Sequence, residues 1–252
     1  MAVWRHSEGA RDSPADSVSL RQAWADNAEA WIHWARTPGH DSYRQFHGRR
    51  FFELIPSPGR LTVDIGCGEG RVARDLAAGG HRVVAMDASE LMARATAGHE
   101  FAVPALVADA AALPLRAGCA DLAVAFMVLQ DVDDLTGAVA EIGRVVSAGG
   151  CLCLAIVHPL NSAGGFEGDR EDLDTPFVIA GSYLEELRYC EDIERDGLAM
   201  VFHSVHRPLE AYVGALEREG FVIESLREVT VADPGDRWRR VPLFLDLRAR
   251  RL

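Results

Sequence analysis

Leu61-Thr62-Val63-Asp64-Ile65-Gly66-Cys67-Gly68-Glu69-Gly70 reads as a strand, a glycine turn and the start of a helix. Gly66 and Gly68 permit a sharp turn and leave no Cβ between the peptide groups and an approaching ligand. The helix that follows offers unpaired N–H groups to a carboxylate or a phosphate. A dinucleotide fingerprint needs its third glycine at position 71, but Arg71 stands there and the glycine is Gly70. The spacing is G-x-G-x-G, with Asp64 two residues ahead of the first glycine. Taken alone, an ordinary tight strand-to-helix turn accounts for the same glycines.

Outward from this stretch the chain alternates. Short apolar runs predict strands near 61–65, 82–86, 103–107, 121–126 and 150–157, and helical periods predict helices near 70–78, 89–97 and 135–146. Such alternation implies right-handed βαβ units and a mostly parallel sheet. Two further acids each follow a predicted strand. Asp87 closes Val83-Val84-Ala85-Met86 and can take both hydroxyls of a ribose lying across the strand ends. Asp109, in Ala108-Asp109-Ala110, is placed to bond an adenine amino group. Each could be a helix cap or turn former by itself. Together with Asp64 they converge on the crevice where open α/β sheets bind ligands.

Ahead of the sheet, Leu20, Trp24, Ala28, Trp31 and Ala35 share a helical stripe over residues 18–36, and a second helix is expected from Asp41 to Pro56. Residues 158–197 break the rhythm with Gly164-Gly165 and many acids. A strand (198–205), a helix (208–219) and two strands (221–229 and 240–247) complete the chain. The expected organisation is a tail (1–17), an N-terminal helical cap (18–56), an α/β domain (57–157 with 208–252) and a lid insertion (158–207). The 252 residues, 48% of them hydrophobic, suffice for one sizeable core with a modest cap. No run reaches the roughly 18 apolar residues of a membrane span, and the N-terminus lacks a secretory signal. Five cysteines without zinc-site spacing suit a reduced, cytoplasmic protein. A net charge of −12 argues against a nucleic-acid partner, and the arginines from Arg237 to Arg251 read as a solvated edge.

At this point the sequence resembles a family. Val63 to Gly70 looks like motif I of class I S-adenosylmethionine-dependent methyltransferases of the small-molecule, type 11-like group. Val84-Ala85-Met86-Asp87-Ala88-Ser89 is similar to their second motif, Asp109-Ala110 with Leu113-Pro114 to their third, and Asp121 to Phe126 to their fourth strand. Arg144 to Gly150 resembles the turn before strand five, with Ala148 in place of the usual proline. The resemblance covers residues 60–157. It implies a Rossmann-like, seven-stranded sheet with helices on both faces and an antiparallel last strand, and S-adenosyl-L-methionine as cofactor. By the same resemblance Asp64, Gly66, Cys67 and Gly68 surround the methionine part of that cofactor, and Asp87 with Ala88 meets the ribose. Asp109 and Ala110 address adenine, and Phe126 lies beside the sulfonium.

The acceptor side is less legible. His158 follows strand five, and His203 and His206 flank the 198–205 strand. Each is a candidate base for a hydroxyl or ammonium acceptor, and each could equally be a hydrogen-bonded structural residue. Period two sets His203 on the face opposite Phe202 and Ser204. Their spacing does not suit a metal. Trp24, Trp31 and Trp34 could be core packing or one wall of an acceptor pocket. The expected activity is methyl transfer to an O, N or S atom of a small molecule, by a monomer or homodimer. The alternatives are a noncatalytic or non-methylating S-adenosylmethionine-binding protein and a nicotinamide enzyme. Nucleic-acid amino-group methylation is disfavoured, because Phe126-Met127-Val128-Leu129 stands where such enzymes carry an Asn/Asp-Pro-Pro-aromatic motif.

Overall fold

The structure is a computed structural model that describes residues 18–169 and 171–252; the expected tail, 1–17, lies outside them. Two helices, α1 (Leu20–Asp26) and α2 (Ala28–Arg36), lead through a π-helical turn (Tyr43–His47) into α3 (Gly48–Phe52). The α/β alternation then runs β1 (Thr62–Ile65), α4 (Arg71–Ala78), β2 (Val83–Asp87), α5 (Glu90–Ala97), β3 (Ala105–Val107), β4 (Ala120–Phe126), α6 (Leu135–Val145) and β5 (Val146–Val157). Next come α7 (Pro159–Ala163), the short strands β6 (Gly165–Phe166) and β7 (Phe177–Val178), and the long strands β8 (Leu187–Arg195) and β9 (Leu198–His206). The chain closes with α8 (Leu209–Arg218), β10 (Phe221–Val229), a 3₁₀ turn (Arg237–Arg240) and β11 (Phe244–Arg251).

Seven strands form the central sheet in the order β10-β11-β5-β4-β1-β2-β3, and β11 alone runs against its neighbours. Period-two alternation splits its side chains between two cores. Val63, Ile65, Leu152, Leu154 and Leu247 pack with α6 and α8 on one face. Leu122, Val124, Cys151 and Cys153 pack with α4 and with Phe51 and Leu54 on the other. Helices therefore cover both faces, and the two strand-five cysteines are core. The strand order reverses at β1 and β4, and open α/β sheets bind ligands at that switch point.

Four expectations are corrected. The predicted helix over 18–36 breaks at Asn27, whose side-chain amide donates to the Val201 carbonyl of β9. The predicted second helix begins as a π turn, with the Tyr43 N–H donating to Asp41 Oδ1 at 3.1 Å. The last strand starts at Phe244 rather than 240, because Asp236 caps a 3₁₀ turn at Trp238 N and Pro242 falls in the following linker. Residues 187–195, read as part of a lid insertion with no strand assigned, form β8 and pair antiparallel with β9 along its whole length. Their turn is Asp196-Gly197, with φ of +51° and +79°, the left-handed pair that a two-residue hairpin requires. Among the described residues no helix is long and apolar enough to cross a membrane.

Candidate active site

One cavity of about 330 Å³ opens at the C-terminal ends of β1, β2 and β4, beneath α1, α2 and the β8–β9 hairpin. All nine residues expected to hold the cofactor line it: Asp64, Gly66, Cys67, Gly68, Asp87, Ala88, Asp109, Ala110 and Phe126. Backbone conformation explains the glycine spacing. Gly66 and Gly68 have φ of +66° and +56°, where a Cβ is strained, and a Cβ on Gly68 would sit 2.9 Å from Trp31 Nε1. Gly70, at φ +90°, directly precedes α4, and a Cβ there would meet Thr96 Oγ1 at 2.6 Å. The third glycine is thus placed by the start of α4 and the packing of α5 beside it.

Asp87 braces this loop, its Oδ2 accepting from Gly68 N and its Oδ1 from Ser89 N, both at 2.8 Å. Burial pushes its carboxyl up, and those two backbone N–H groups oppose the shift. Asp64 is 1% exposed and its Oδ2 is a buried acceptor without a donor. Burial first, then the charge on Asp87, pushes Asp64 up to about 8. Asp109 closes a local turn through Ala111 N at 2.9 Å and meets the Arg21 guanidinium at 3.4 Å. The Cys67 thiol is held well above its usual range by burial and contacts Thr96 Oγ1 at 3.6 Å. Phe126 packs edge-on against Phe51 and Tyr43, with ring centres 4.9 and 5.3 Å away.

The roof is aromatic. Phe202 of β9 stands between three tryptophans, its ring centre 6.3 Å from Trp24 and 6.0 Å from Trp31 and from Trp34. All four line the cavity, and Trp34, at 1% exposure, is core as well as wall. Trp24 Nε1 donates to the His203 carbonyl at 2.9 Å and ties α1 to the hairpin. The Arg71 guanidinium lies 5.0 Å from the Trp31 ring centre and pairs with Asp41.

None of the three expected histidines is among the cavity-lining residues. His158 caps α7, its Nδ1 accepting from Leu160 N at 3.0 Å, and its Nε2 faces Glu228 at 3.1 Å. Burial lowers its pKa, opposed by Glu228. His206 Nε2 donates to the Tyr183 carbonyl at 2.9 Å while Nδ1 accepts from Ser162 Oγ at 2.7 Å. His203 Nδ1 contacts Cys190 Sγ at 3.1 Å on the far face of the hairpin, as period two requires, and burial lowers its pKa. The hairpin instead turns Tyr189, Glu191, Phe202 and Ser204 inward, and the loop after β4 adds Gln130 and Asp131. Sequence reading missed these, although the Asp-Gly turn and the alternation of residues 187–195 mark the hairpin that carries most of them.

The fold and this geometry define a class. Residues 63–154 match the Methyltransferase domain family, and the chain carries the fold of class I S-adenosylmethionine-dependent methyltransferases. A solved S-adenosylmethionine-dependent methyltransferase from Mesorhizobium loti is 26% identical, covers 81% of this chain and 96% of its own, and superposes with a TM-score of 0.66. Malonyl-[acyl-carrier protein] O-methyltransferase of Pectobacterium atrosepticum is 34% identical over 110 residues, 43% of each chain. The ubiquinone/menaquinone biosynthesis C-methyltransferase UbiE of Acidiphilium cryptum is 36% identical over 40% of this chain and 44% of its own. These matches span less than half the length of the curated relatives.

Proposed function

We propose that this chain transfers a methyl group from S-adenosylmethionine to an oxygen, nitrogen or sulfur atom of a small-molecule acceptor. One observation carries the reading: the glycine turn, the strand-end acids and the aromatic roof line a single cavity. Asp64, Gly66, Cys67 and Gly68 hold the methionine end, and Asp87 with Ala88 holds the ribose. Asp109 and Ala110 take the adenine, and Phe126 stands near the methyl group. Asp64 suits the ammonium of that end, because its Oδ2 lacks a donor in a buried place. When bound, S-adenosylmethionine supplies an activated methyl carbon, whose bond to sulfur breaks with the electron pair left on sulfur. The chain's own work is to align the acceptor lone pair and to exclude water.

Residues 18–56 and 158–207 serve as cap and lid over the domain formed by 57–157 and 208–252, and the acceptor enters between them. A histidine base is not favoured, since His158, His203 and His206 are all absent from the cavity lining and each has a ring nitrogen bonded elsewhere. Five cysteines outside any disulfide and a net charge of −12 suit a cytoplasmic enzyme of small molecules. Titration calorimetry tests the reading. S-adenosylhomocysteine should bind in preference to NAD, and Asp87→Ala should weaken it by about 1–3 kcal/mol. Equal or tighter binding of NAD would overturn it.

A further inference from the structure

The strand order sets β5 and β11 on one side of the switch point, and β2 and β3, with Asp87, on the other. Over β5 and β11 the cavity lining becomes apolar. Val157 and Phe244 pair across the two strands and share a face. Phe46, Met127, Val231 and Trp238 complete the lining there. Phe46, Met127 and Val231 are only partly buried, and all three pack on the cluster that contains Trp238 and Phe244. From residues 42–46, 127–128, 157 and 231–244 the lining takes no ionisable side chain, and its polar side chains there are the neutral Ser42 and Gln45.

Charges near this lobe are paired or turned away. Asp41 pairs with Arg71. His47, stacked on the Phe244 ring at 4.0 Å, pairs with Asp246 at 2.8 Å; both are fully buried and neither lines the cavity. Arg237 and Arg240 flank Trp238 but donate to the Asp169 carbonyl and to those of Leu173 and Thr175. The backbone here is bonded within the chain. The Leu243 carbonyl accepts from His158 N and Asn161 Nδ2, the Trp238 carbonyl accepts from Thr230 Oγ1, and Met127 N donates to the Ala155 carbonyl. A charge brought into this lobe would lose its hydration and gain no opposite charge.

Met127 joins the lobe to the end of the cavity at Phe126. It packs on the cluster that contains Phe126 and on the one that contains Trp238. Its φ of +57° is left-handed, which a Cβ disfavours; among the described residues the other non-glycine so held is Asp196, in the hairpin turn. Such strain collects where backbone serves a site. Resting on the methyltransferase reading above, we propose that the acceptor is an uncharged molecule with an apolar aromatic body. That body fills the lobe between Phe46, Met127, Val157, Val231, Trp238 and Phe244, where ring edges and faces can meet it. Its methyl-accepting atom lies at the Met127 end, beside Phe126. Hydrophobic contact selects the acceptor, and a charged group of either sign at its far end excludes it.

The test uses the full chain saturated with S-adenosylhomocysteine, titrated by calorimetry at pH 7. The probes are phenol, 2-naphthol and 4-hydroxybiphenyl, with the 4′-carboxylate and 4′-aminomethyl derivatives of the last. The two-ring phenols should bind about tenfold or more tightly than phenol, through the extra apolar area buried. Both charged derivatives should bind at least about tenfold more weakly than 4-hydroxybiphenyl. Val231→Asp should weaken 4-hydroxybiphenyl by a similar factor, favour the aminomethyl derivative over the carboxylate, and leave S-adenosylhomocysteine affinity unchanged. Equal binding of phenol and the two-ring phenols would overturn the proposal. So would a charged derivative that binds as well as its parent, or a Val231→Asp protein with the wild-type order of affinities. If that variant fails to fold, the wild-type series decides. Wild-type protein that binds no S-adenosylhomocysteine would instead overturn the methyltransferase reading, and that is measured before any phenol is added.

Discussion

His158 shows how a residue can sit beside a strand end and yet point away from the chemistry. It follows β5, but its Nδ1 takes the Leu160 N–H at the start of α7 and its Nε2 turns to Glu228. His158→Ala should therefore cost about 1 kcal/mol of stability through the lost cap. S-adenosylhomocysteine affinity should be unchanged, with thermal denaturation and calorimetry as the paired measurements. A fall in affinity with unchanged stability would refute this placement. The contrast with Asp64, Asp87 and Asp109 is instructive. Those acids were legible because each ends or follows a parallel strand, so the fold aims them at the switch point. A histidine at the same kind of position carries no such information, since its direction depends on a helix of five residues that periodicity cannot resolve.

The β8–β9 hairpin decides how the elements cooperate. Its β9 strand packs on α1 and α2 through Phe202 and the Trp24 and Asn27 bonds, so cap and hairpin are braced on each other. Gly197 sits at φ +79° with open space where a Cβ would go. Gly197→Ala should therefore act through backbone strain alone, at about 1–2 kcal/mol. Amide exchange over 187–206 should quicken accordingly, while 62–126 keeps its protection. S-adenosylhomocysteine should in turn slow exchange in both 20–36 and 187–206, and no change in these segments would mean that the cap is a passive scaffold. The parallel core strands and their helices were readable because apolar period and strand-end acids coincide there. Strand β8 keeps period two but turns Glu191, not an apolar residue, to the cavity, so its alternation gives the strand without showing which face is inward.

For the whole molecule the unusual feature is a set of buried carboxyls. Asp64, Asp131 and Glu191 are each pushed up to about 8, against about 4 for an unfolded carboxylate. Between those values the folded chain holds protons that the unfolded chain has lost, so this contribution to stability falls as pH rises from about 4 to about 8. His81, His158 and His203, held below their usual range, pull the opposite way near pH 6.5. The clean measurement is therefore a difference. Across pH 5–8 the stability of Glu191→Gln should gain on that of wild type as pH rises, in denaturant titrations. A constant gap would mean that Glu191 titrates normally.

The Methyltransferase domain match ends at residue 154, and the hairpin that roofs the cavity begins at 187. Tyr189, Glu191 and Ile193 face inward in register with Ser204, Phe202 and Met200, while the residues between them point outward. Under the proposed function, selectivity would therefore vary through every second position of this one ribbon, outside the stretch that matches the family. For an engineer that ribbon is a cassette. Under the proposed function, a library confined to its inward positions would vary the cavity roof while keeping the glycine turn and the strand-end acids in the sequence unchanged.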